Sequence, residues 1–95
     1  MITIVCWTSR FNLSVVKPDF INPCCFGEDF SVWLCDALER NGAAADLICM
    51  EDFGWANTAE VGGASYLVCV AGCPEERDGE EDHGKWYVKI GRAHV

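Results

Sequence analysis

Positive charge is scarce in this chain. Seven Lys and Arg stand against fifteen Asp and Glu, a formal charge of −8, which repels polyanions and supplies no basic stripe for phosphate contacts. Nucleic acid and anionic membrane are therefore not expected as partners. Long apolar runs are missing as well, since no segment approaches the roughly 18 residues of a membrane span. The opening stretch Met1-Ile2-Thr3-Ile4-Val5-Cys6-Trp7 has no basic n-region and is broken by Thr3 and then Arg10, so it fails as a signal peptide. The seven cysteines show no regular framework, and their odd number leaves at least one thiol unpaired. A reducing cytoplasm is the expected setting, with the thiols acting mostly as small core hydrophobes. A nucleotide fingerprint is absent too, because Gly62-Gly63 lacks the following helix that a phosphate site needs.

What is present describes one small folded domain, residues 1–95. Apolar residues make up 51% and charged residues 23% of the chain, which is ordinary globular usage and argues against disorder. A chain of 95 residues has room for one two-layer core. The charge is uneven: Glu75, Glu76, Asp78, Glu80, Glu81 and Asp82 surround a single Arg77. Such a run is a solvated connection first and a docking tail for a basic partner second.

Residues from Ile2 to Phe11 are rich in β-branched and aromatic types and predict a strand. Asn22-Pro23 is a helix-start signal soon interrupted by Gly27, which predicts one isolated turn. Phe30, Trp33, Leu34, Ala37 and Leu38 then fall on one helical stripe, with Glu28, Asp29, Asp36, Glu39 and Arg40 opposite. A helix over 27–41 follows, with Gly42 as its left-handed cap. Ala44 to Met50 is short and apolar. Trp55 to Val61 and Ala64 to Val70 flank Gly62-Gly63, a hairpin signal. Lys85 to Ile90 alternates, with Trp86, Val88 and Ile90 on one face. The expected fold is α+β, a mainly antiparallel sheet of four to five strands with one main helix packed on one face.

A helix about 10 to 12 Å across cannot cover a sheet about 20 Å wide. Both sheet faces are greasy, since Tyr66, Val68 and Val70 alternate with Leu67, Cys69 and Ala71. A homodimer or higher homo-oligomer that buries the second face or an open edge is the expected answer. The alternative is that Ser14 to Phe26 closes the sheet within one chain.

Two acidic-aromatic clusters stand out, Phe26-Gly27-Glu28-Asp29-Phe30 and Glu51-Asp52-Phe53-Gly54-Trp55. Aromatic walls stack ring-shaped ligands, and a carboxyl pressed against an indole acquires a raised pKa. The candidate ligand-binding residues are accordingly Glu51, Asp52, Trp55, Trp33 and Trp86. A helix N-terminus for Glu28 and Asp29 and a turn for Glu51 and Asp52 is the competing structural account. No cofactor is implied and no catalytic set is complete. Cys69-x3-Cys73 with His83 is the nearest approach to a zinc pattern, Cys24-Cys25 is a vicinal pair, and neither has proper ligand spacing, so no metal is expected. Cys25 beside Gly27 at a helix start has no visible partner base.

The ordered motifs Asn22-Pro23-x-x-Phe26-Gly27-Glu28-Asp29-Phe30-x-x-Trp33-Leu34, Gly42, Glu51-Asp52-Phe53-Gly54-Trp55 and Tyr66-x-x-x-Val70-x-Gly72 span about residues 20–72. Through them the chain resembles small uncharacterised bacterial proteins of integron mobile gene cassettes. The resemblance implies a bacterial cytoplasmic protein, an α+β fold and a tendency to self-associate, and it brings no activity. The cysteine load departs from that pattern. The resulting expectation is a homo-oligomeric binding or interaction module for a small molecule or another protein. Two alternatives stand beside it: an immunity-like inhibitor of a basic toxin, and a small enzyme with Glu51 or Asp52 as general base.

Overall fold

A computed structural model of the chain describes residues 2–21, 25–51, 54–75 and 81–92, with the backbone alone at 47–49 and 51. The elements are β1 (Ile2–Thr8), α1 (Glu28–Arg40), β2 (Ala44–Glu51), β3 (Gly54–Val61), β4 (Ala64–Pro74) and β5 (Gly84–Arg92). They form one five-stranded sheet in the order β1-β5-β4-β3-β2, antiparallel at every pairing. The fold is the expected α+β arrangement. Strands β2 to β5 run as a meander, and β1 pairs with the free side of β5, so β1 and β2 are the two edges. No helix among the described residues is long and apolar enough to cross a membrane.

Local chemistry explains the punctuation. Gly62 and Gly63 have φ of 57° and 80°, the doubly left-handed backbone of a tight hairpin turn that matches strand twist. At the helix end, the Gly42 N–H donates to Glu39 O at 3.2 Å and the Ala43 N–H to Leu38 O at 3.0 Å. With Gly42 at φ 93°, this is a Schellman closure of the last turn. The predicted strand end at Phe11 is too late. Pairing with β5 stops at Thr8, and the chain turns inward so that Phe11 joins the core. The Asn22-Pro23 turn lies outside the described residues.

The helix is rotated from the expected stripe. Its buried residues are Phe30, Ser31 and Cys35, while Trp33 stays 40% exposed. The cause is a polar pairing that a hydrophobic pattern cannot register. The fully buried Asn57 amide on β3 donates to Ser31 Oγ at 3.2 Å and to Val68 O at 3.3 Å, and its oxygen accepts the Cys35 thiol at 3.5 Å. Buried polar groups stay hydrogen-bonded, so Asn57 draws the Ser31–Cys35 side of α1 down onto the sheet.

The helix lies over β2 and β3. The described residues between β1 and α1, 9–21 and 25–27, strap the same face farther along, where Phe11, Leu13 and Phe26 pack with Trp86 and Val70. Two carboxylates fasten this strap. Asp29 Oδ2 accepts the Asn12 N–H at 2.8 Å, and Asp82 Oδ1 accepts the Leu13 N–H at 3.0 Å and the Ser14 hydroxyl at 2.7 Å. No described helix or strand packs against the opposite face, where Trp7 and Leu67 are exposed. Closure of the sheet on both sides by residues 14–26 is therefore not what the described residues show: the strap works on the helix face alone.

Candidate functional site

Strand parity places Ile4 and Cys6 of β1 beside Val88 and Trp86 of β5, and Val68 of β4 beside Ile90, all on the helix face. Phe30 of the helix reaches Trp86, but α1 lies toward β2 and β3 and leaves Ile4 on β1 exposed. Between α1 and β1 the sheet face therefore stays open as a groove of about 470 Å³. Phe30, Trp33, Leu34 and Leu38 form one wall, Ile4 and Cys6 the other, Ala59, Val68, Val88 and Ile90 the floor, and Val61 and Tyr66 the far end. The volume lies within the range of small-molecule pockets, which are concave and mostly apolar.

The aromatic walls are held from behind. Phe30 meets Trp33 edge-on with ring centroids 6.0 Å apart, and Phe11 lies 5.8 Å from Trp33. Exposed Trp33 and half-buried Tyr66 each carry a cation. The Arg10 guanidinium lies over the Trp33 ring at 5.7 Å, and that of Arg92 over Tyr66 at 5.6 Å, distances typical of cation–π contact. Arg92 is the cross-strand partner of Tyr66 and shares its face. Among the described residues the ion pair formed is Lys17 with Glu28 at 3.7 Å, so neither arginine is neutralised by a described carboxylate.

Of the sequence-expected ligand residues, Trp33 lines this groove. Trp55 is 7% exposed and donates its indole N–H to Cys25 O at 3.1 Å. Trp86 is 0% exposed, tilted against Phe30 at 4.9 Å and edge-on to Phe11 at 6.0 Å, with no hydrogen-bond partner for its Nε1. Both rings are core rather than cleft. Glu51 ends β2 opposite Gly54, at the other end of β3 from the groove residue Val61. Asp52 and Phe53 lie outside the described residues. Phe26 and Phe30 of the first acidic-aromatic cluster belong to the core.

The cysteines divide by depth. Burial first, then the carboxylates of Asp46, Glu39 and Asp36, push the Cys35 thiol above its ordinary 9.0, so it stays protonated and able to donate to Asn57. Cys25 is fully buried, and Cys24 lies outside the described residues. Strand β4 continues straight through Pro74, so Cys69 and Cys73 are not brought together across a turn. Four residues along one strand separate them by about 13 Å. No cluster of three metal-ligating side chains occurs among the described residues. Glu75, at the start of the acidic run, accepts the Trp7 indole N–H at 3.0 Å. The same run supplies Asp82, whose carboxyl is held below the usual carboxylate range by the Leu13 N–H and the Ser14 hydroxyl.

Sequence reasoning did not single out Ile4, Cys6, Leu38, Val61, Arg10 or Arg92 as site residues. Parity in β1 and β5 was the available signal for the first two, and the strand pairing of Tyr66 with Arg92 needs the fold. No family model, no curated protein and no solved structure matches this chain.

Proposed function

We propose that the protein is a small binding module whose groove holds an amphiphilic molecule, apolar along its body and anionic at one end, such as an aliphatic or aromatic carboxylate. The observation that carries this reading is the pairing of an open apolar groove with Arg10 over its Trp33 ring and Arg92 over its Tyr66 ring, in a chain of net charge −8. An apolar body in the groove removes Ile4, Leu38, Val61 and Tyr66 from water, at about 25 cal/mol per Å² of apolar surface covered. An arginine at the rim adds a charge-assisted hydrogen bond to a carboxylate. A cation at the same position meets repulsion instead, from Arg10, Arg92 or both. The setting that goes with this reading is the bacterial cytoplasm, and it rests on the resemblance of residues 20–72.

Three ten-carbon probes test it by isothermal titration and Trp33 emission: decanoate, decanol and decyltrimethylammonium. Decanoate is expected to bind most tightly and the ammonium probe least. Leu38→Glu, which puts a carboxylate in the apolar wall, is expected to weaken decanoate at least tenfold, about 1.4 kcal/mol, with the circular dichroism spectrum unchanged. Equal affinity for the three probes, or binding of none, overturns the reading.

A further inference from the structure

The two edges of the sheet are unlike each other. Strand β2 has a register irregularity between Leu47 and Cys49 and carries Asp46 and Glu51 in its sequence, features that discourage strand addition. Strand β1, Ile-Thr-Ile-Val-Cys-Trp-Thr, has no charge, no proline and no register shift over its seven residues. Its Ile2, Ile4, Val5 and Trp7 are exposed. Among the described residues no strand lies on the side of β1 away from β5, so alternate N–H and C=O groups there face outward unpaired. An edge of this kind is a template for another strand.

We propose that the occupant is β1 of a second copy, paired antiparallel about a two-fold axis at Val5 to make one continuous ten-stranded sheet. Antiparallel addition about a two-fold is self-complementary, as an isologous interface must be. Charge selects the same edge: two copies of net charge −8 repel each other, β1 itself carries no carboxylate, and Glu75, which accepts the Trp7 indole N–H, has Lys85 over the same ring. With Val5 opposite Val5 of the second copy, Ile4 meets Cys6 on the helix face and Thr3 meets Trp7 on the other. Ile4 and Cys6 also line the apolar groove, so the grooves of the two copies meet across the axis. Seven residues span about 24 Å, a contact smaller than those of obligate dimers, so the dimer dissociates on dilution.

Sedimentation velocity of the reduced protein, from micromolar to hundreds of micromolar, is expected to show monomer passing reversibly to dimer. Val5→Lys sets two ammonium groups opposite each other at the axis and is expected to weaken the dimer at least tenfold. Val5 lies on the face away from the helix, so circular dichroism and decanoate binding report separately on the fold and the groove of that variant. Val5→Cys, oxidised with a diamide reagent at a concentration where the dimer is populated, is expected to form a covalent dimer faster than the unsubstituted chain. A monomer at every concentration, a dimer indifferent to Val5→Lys, or a dimer that Val5→Cys does not cross-link overturns the proposal.

Discussion

The helix face of the sheet has two halves built from the same strands and finished differently. In one, Trp86 and Val70 are wholly shielded by Phe11, Leu13 and Phe26 of the strap. Gly72 leaves room there, since a Cβ at that position would come within 2.8 Å of both the Trp86 ring and Leu13. In the other half, Val88 is covered but Ile90 beyond it is only partly buried, and Ile4 remains 49% exposed. The apolar content is similar and the covering differs. Burial of large apolar side chains drives folding, so the closed half supplies stability. The open half keeps apolar surface available to a ligand.

If that division is real, truncation should be costly on one side and mild on the other. Trp86→Ala removes a fully buried indole and is expected to destabilise by about 3–5 kcal/mol, against under about 1 kcal/mol for Val61→Ala at the exposed end of the groove. Urea unfolding of both variants checks the contrast, and equal losses would erase the distinction between the halves.

The seam between the halves is next. Asn57→Ala leaves the Ser31 hydroxyl, the Val68 carbonyl and the Cys35 thiol without their shared partner, and a loss of about 1–3 kcal/mol is expected. Because the amide sets the roll of α1, Trp33 emission should shift as well. Stability loss with unaltered emission would mean that the helix takes its orientation from packing alone.

The smallest effect concerns the strap. Asp82 is charged and hydrogen-bonded in the native state, with its pKa below the ordinary 3.8. The stability it confers is present above that value and is lost as pH falls through the lowered native one. Asp82→Asn should therefore lower stability at pH 7 by under about 1 kcal/mol, since the group is half-exposed. The difference should shrink as pH falls through the lowered native value, where Asp82 loses its charge. A deficit of constant size from pH 7 into the acid range would assign the effect to side-chain shape instead of charge.

Much of the architecture was legible because it follows from period and punctuation. Trp86, Val88 and Ile90 alternate, Gly62-Gly63 turns, Gly42 caps, and the mismatch between one helix and a wide sheet foretold apolar surface left uncovered. The strap was not legible. Phe11 and Leu13 sit in a stretch without period, and what receives Leu13 is the missing side chain of Gly72. Nor could composition distinguish the three central tryptophans as ligand groups, since depth is a tertiary property: Trp86 and Trp55 face inward between layers, and Trp33 is turned outward by the Ser31–Asn57 bond. Asp29 and Asp82 read as surface acids, yet each accepts backbone N–H groups of the strap.

Amide and methyl shifts in a two-dimensional NMR titration with decanoate test most directly whether the open half is the binding half. Saturable changes concentrated at Ile4, Leu38, Val61, Val88 and Arg92, with Leu13 and Val70 still, are the predicted result. Changes spread evenly over the strap and the groove, or none at all, would contradict it.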